Sequence, residues 1–271
     1  MRKSMNHMKH LVAMSVALAL TLVVLHPALA EEEKPSADFS VAALSQYIWR
    51  GQELSRDSIV IQPSMTISYM GFSGNLWGNL DTDPYFQMPG QSGSMWNETD
   101  LTLSYGRGFG QWSLEGGYIY YGLEGIDDSQ EFYLNLGFDV LLAPALTVYR
   151  DFDSYEHWYF LLGISHSFEI TDAISLELSG SVSYLKSDDA DAYPEIDSSG
   201  APTGDKFNNF HDGVISASLP IAVAKYITIT PSLSYTFPLS SDASDEMKYW
   251  RSITGDDDNF LYGGVTVSLA F

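Results

Sequence analysis

The sequence predicts an all-β protein, a transmembrane up-and-down antiparallel β-barrel of about twelve strands. Three observations predict it. From Ala37 onward apolar residues recur with a period of two, as strands with one apolar face and one wet face require. The connections between these segments are short and long in turn. The last segment alternates Val265, Val267, Leu269 and Phe271 with Gly264, Thr266, Ser268 and Ala270, and stops on an aromatic residue.

The N-terminus comes first. Arg2, Lys3 and Lys9 precede an apolar run from Leu11 to Leu25, and Ala28-x-Ala30 follows. That order is a secretory signal peptide, residues 1–30. The run has 15 residues, short of the ~20 that a membrane-spanning helix needs. Residues 31–36 are then a short periplasmic lead, and 37–271 the barrel. All 35 acids but only ten of the 13 Lys and Arg lie after Ala30, which leaves the exported chain at −25. Such an acid excess has no basic patch to neutralise phosphates, so nucleic acid is excluded as a partner. With no cysteine in the chain, thiolate metal sites, disulfides and a Cys nucleophile are excluded too.

Twelve alternating segments follow, at 37–49, 59–70, 72–81, 98–106, 111–121, 130–139, 145–152, 157–169, 174–186, 209–219, 226–238 and 259–271. Most reach the ~9–11 residues of a tilted transmembrane strand. Connections after even-numbered segments are short, while those at 82–97, 187–208 and 239–258 are long and polar. That asymmetry, with both termini on the short side, is the pattern of outer-membrane barrels with periplasmic turns. A soluble sandwich would bury its apolar faces against each other and would not sort loop length by parity. Tyr47, Trp49, Tyr69, Tyr105, Trp112, Tyr184 and Tyr235 gather at segment ends, where aromatic girdles sit. Phe271, ending the last strand, reads as an outer-membrane assembly signal.

Residues 45–81 resemble the N-terminal hairpin of the TorF-type porin family of bacterial outer membranes. The matching features are Ser45-x-Tyr47, the Trp49-Arg50-Gly51 corner, Ser55, Gln62-Pro63-Ser64 and Gly71-Phe72…Trp77-Gly78. The family more often has Phe before the Arg-Gly pair and Ile-Ser after it. The resemblance implies a Gram-negative porin-like protein and leaves the solute open.

If the apolar set of each strand faces lipid, the other set faces the lumen. Arg50 then points inward at the extracellular rim, and Asp81, Asp100, Glu115, Glu131, Asp139, Glu177 and Asp212 fall on inward parities. An acid-lined lumen favours small cationic or neutral solutes over anions. The same acids could instead be paired in a filled interior, with Arg50 serving Asp81, Glu115 or Glu131. Arg150 shares parity with Leu146 and Val148 and is expected outward, snorkelling to lipid phosphates, unless a bulge re-aims it. Acids in the loops, Asp188, Asp189, Asp191, Glu195 and Asp197 and then Asp242, Asp245, Glu246 and Asp256 to Asp258, could meet divalent ions bridging lipopolysaccharide, although no EF-hand spacing is present.

An enzyme is not expected. After Ala30 the histidines are His157, His166 and His211. His166 and His211 fall on outward parities, and adjacent strand residues point to opposite faces, so Ser165-His166 and His211-Asp212 are not ready-made dyads. The expectation is therefore a passive outer-membrane channel without cofactor or metal. Its partners are small solutes, outer-membrane lipids and lipopolysaccharide, and the barrel-assembly machinery. The alternatives are a closed structural or surface-binding barrel and, behind it, an outer-membrane hydrolase.

Overall fold

The computed structural model describes residues 34–55, 58–84, 93–252 and 257–271. The signal peptide expected at 1–30 and the acid Asp256 lie outside the described residues. Pro35–Phe271 is one compact unit. Its barrel strands are β1 (Ser36–Leu44), β2 (Val60–Tyr69), β3 (Phe72–Asp81), β4 (Met95–Phe109), β5 (Trp112–Leu123), β6 (Ser129–Phe138), β7 (Ala145–Asp151), β8 (His157–Thr171), β9 (Ile174–Ser187), β10 (Asn208–Ser218), β11 (Ile227–Pro238) and β12 (Phe260–Ala270). Each pairs antiparallel with the next, and β1 pairs with both β2 and β12. The sheet therefore closes, which removes its edges.

The local chemistry matches the pattern. Met70-Gly71 turns β2 into β3 with φ of +53° and +85°, the left-handed pair a two-residue hairpin requires. A Cβ at Gly71 would also sit 2.7 Å from the carbonyl oxygen of Gly106. Along each strand one set of side chains is large, apolar and open to the surroundings: Leu134 is 51% exposed, Leu162 50% and Ile215 59%. In water such a surface would be a severe liability, whereas lipid is its natural neighbour.

The interior changes character along the barrel. On β8 the inward residues run from exposed Glu169, Ser167 and Ser165 at the short-turn end, through Gly163 and Leu161, to buried Tyr159 and His157 at the long-loop end. On β9 the same progression leads from Glu177 and Ser179 to buried Ser183, Leu185 and Ser187. One half is thus a wet vestibule lined by small polar groups, and the other half is filled.

The filling comes from loops. The first strand ends at Leu44, not at residue 49 as the alternation suggested. Residues 45–55, the described start of loop 1 between β1 and β2, leave the wall and fold inward around a small hairpin, Ile48–Trp49 against Gln52–Glu53. The connection between β9 and β10 carries a second hairpin, Pro194–Ile196 against Pro202–Lys206. Between β11 and β12 lies α1 (Ser241–Glu246), capped by the Ser240 hydroxyl on the Ala243 amide and widened into a π-helical turn over Met247–Arg251. Tyr159, Leu185, Tyr193, Phe207 and Ala243 form a buried apolar cluster among these parts.

Candidate functional site in the barrel lumen

Loop 1 delivers its central residue into the lumen. Arg50 (φ +49°) and Gly51 (φ +74°) make a left-handed corner. A Cβ at Gly51 would come 2.3 Å from Met247 Cε and 3.2 Å from His211 Cε1, so the loop passes tightly between barrel wall and last loop. The loop is laced to its surroundings: the Ser55 hydroxyl accepts from the Tyr47 amide at 2.7 Å, and Gln52 donates to the Tyr193 hydroxyl at 2.9 Å. The hydroxyl of Ser252 donates to Glu53 at 3.1 Å.

Arg50 is not a rim residue. Its side chain is only 8% exposed and forms a two-pronged ion pair with the fully buried Glu131 of β6, at 2.6 and 2.9 Å. The same guanidinium lies 3.1 Å from Nε2 of His157 on β8. Its flat faces meet Trp49, Tyr149 and Tyr159, each ring centroid 4.4–4.5 Å from the guanidinium carbon. The Tyr121 hydroxyl donates to the second Glu131 oxygen at 2.8 Å. A planar cation caged by rings and gripped by two parallel hydrogen bonds is what arginine, unlike lysine, can satisfy. Glu131, Asp151 and His157 bring three ligand-type atoms within 4.8 Å of one another. The guanidinium already supplies the positive charge there, so this cluster is poorly suited to a metal ion.

The other sequence-selected acids separate into distinct settings. Asp81, at the end of β3, is buried and accepts from the Ser58 hydroxyl at 2.7 Å. Glu115 on β5 accepts from Tyr133 at 2.6 Å and lines a hollow near the short-turn end beside Arg107 and Asn135. Glu177 on β9 is exposed in the vestibule, within 3.1 Å of the Ser218 hydroxyl. Asp212 on β10 is buried and binds His211, Tyr159 and Ser183 at 2.7–2.9 Å. Asp139 falls in the turn after β6, not on the inner wall. Asp100 on β4 lines a cavity of about 430 Å³ beneath loop 1, together with Trp49, Arg50, Trp77, Tyr121 and Tyr149. Its Oδ1 is shut off from solvent and accepts no hydrogen bond from the described residues.

Two further expectations need correction. His211 is not outward: it is fully buried, with Nε2 2.7 Å from Glu246 of α1 and Nδ1 2.9 Å from Asp212. The reason is a β-bulge. Val182 pairs with Gly213 but Tyr184 pairs with Phe210, so β10 carries one extra residue there and both His211 and Asp212 turn inward. Arg150 does face outward without a bulge, but it does not reach for lipid. It is held by Glu156 and Asp188 at 3.0 Å each. Among the loop acids, Asp197 is held below its usual carboxylate range by the Ser199 hydroxyl and the Ala201 and Ser199 amides. That carboxylate serves its own turn.

Sequence reasoning missed Glu98, which lies buried on β4 two residues from Asp100. It also missed the cage tyrosines and His157. Inward parity along β8 would have found His157 and Tyr159, since they share a face with Leu161 and Gly163.

No protein-family model and no curated protein matches the chain. Solved structures do. The NanC porin superposes with a TM-score of 0.50 at 10% identity, over 87% of this chain and 98% of that one. The fold is that of an outer-membrane β-barrel. LpxR from Salmonella typhimurium (TM-score 0.45, 8% identity, 87% and 99% covered) and an outer-membrane channel from Pseudomonas putida F1 (0.44, 8%, 92% and 98%) are more distant.

Proposed function

We propose that the chain is an exported outer-membrane channel for passive diffusion of small cationic or neutral solutes, narrowed at its extracellular half by loop 1. One observation carries this reading: a polar, water-accessible vestibule leads to an inner wall that carries Asp100, Glu115, Glu131, Glu177 and Asp212. Rings of acids select for cations. The resemblance of residues 45–81 to TorF-type porins supports it, and so does the signal-peptide pattern. Phe271 as assembly signal, the assembly machinery as partner, and contact with lipopolysaccharide belong to the same reading. We read the chain as non-enzymatic, because His157 and His211 are each locked to a charged partner and His166 packs outward on Phe168.

The inward fold of loop 1 favours a second reading, a closed structural or surface-binding barrel. Single-channel current from refolded residues 31–271 under a KCl gradient separates the two. The channel reading expects stepwise conductance with a cation-selective reversal potential that weakens in Glu115→Gln. Electrical silence from a barrel shown to be folded leaves the closed barrel.

A further inference from the structure

The cavity beneath loop 1 combines aromatic walls with an unanswered acid. Arg50 spends its hydrogen bonds on Glu131, and Asp212 receives His211, Tyr159 and Ser183. Asp100 receives nothing at Oδ1 from the described residues. Trp77 and Tyr121 stand beside it in the same wall. At about 430 Å³ the cavity has the size of a small-molecule site. In the same cavity Arg50, itself an organic cation, is already seated on the faces of Trp49, Tyr149 and Tyr159, which shows that aromatic rings here hold such a group well.

We propose that this cavity is a binding site for a small organic cation, an ammonium or guanidinium attached to an apolar body. Asp100 takes the charged head by a charge-assisted hydrogen bond, and Trp77 and Tyr121 cover the body. The inference rests on the channel reading for how the solute reaches the site, while binding itself is measured without conductance.

The test is calorimetric titration of the refolded barrel in detergent with benzylammonium, benzyl alcohol and benzoate, which share a ring and differ in charge. Benzylammonium is expected to bind about tenfold or more tighter than the alcohol, the size of one charge-assisted hydrogen bond, and benzoate not at all. Asp100→Asn should erase the advantage of the ammonium. Equal affinity for all three probes overturns the proposal, as does an undiminished ammonium preference in folded Asp100→Asn. If Asp100→Asn does not fold, Trp77→Leu serves, with weakened binding of both benzylammonium and the alcohol expected and unchanged binding overturning the proposal. Binding by an electrically silent barrel rejects the channel and keeps the site. Conductance without binding does the reverse.

Discussion

Arg50 shows how one side chain can decide the state of a lumen. Its charge, its flatness and three hydrogen bonds are used: two prongs on Glu131, faces on three rings, and an edge on His157. Removing only the counter-charge should be costly, because breaking a buried pair from one side costs about 3–5 kcal/mol. Glu131→Gln is therefore expected to loosen loop 1, and the measurement is single-channel conductance, which should rise with larger current fluctuations. An unchanged trace would mean that the aromatic cage holds Arg50 without the carboxylate. Beside it, Gly51 occupies a left-handed backbone that an L side chain adopts at a cost of about 1–2 kcal/mol. Gly51→Ala should lower urea stability in detergent by about that amount, since the Met247 methyl facing the new Cβ can swing aside.

Among the elements, the β10 bulge matters more than its length suggests. By turning His211 inward it creates a buried charged contact that ties α1 to the wall, His211 to Glu246 at 2.7 Å. His211→Leu should loosen the last loop, because it removes the imidazole 2.7 Å from the buried Glu246 carboxylate. Limited proteolysis at the long-loop end should then cut between Ser240 and Arg251, a stretch spared in the parent. Here legibility in the sequence reached its limit. Period-two alternation placed all twelve strands within about three residues, save where the first strand ends, because the outer face must be apolar at every second position whatever the loops do. A single inserted residue breaks that parity silently, so His211 read as outward. Loop 1 was equally opaque. Tyr47 and Trp49 continued the alternation of β1 past Leu44, although their rings pack against Trp77 and Tyr121 inside the barrel. The inward acids were legible by parity, but their partners were not. Asp81 meets Ser58 from the first loop, and Arg50 meets Glu131 from 81 residues away.

At the scale of the whole molecule, the barrel has two unequal halves, and a hairpin from the first loop divides them. Replacing residues 48–53 by a short Gly-Ser link should leave the strands closed, since β1 and β2 pair from Leu44 and Val60 downward without it. Conductance should then increase at least severalfold, with the barrel's resistance to dodecyl sulfate largely retained. A deletion that unfolds the barrel would instead make the hairpin part of its framework.

The clamp also has a place in time. Arg50 is joined to Glu131 and His157, 81 and 107 residues further along the chain. Contacts so distant in sequence carry a large loop-closure cost and form late, after their strands are in place. A nascent barrel is therefore wider before loop 1 narrows it. Vesicles loaded with a dye too large for the narrowed lumen should show a burst of release while the protein inserts, ending as the guanidinium docks, and Arg50→Ala should prolong that burst. For a cell, the last step of assembly would be the one that sets how large a solute can pass.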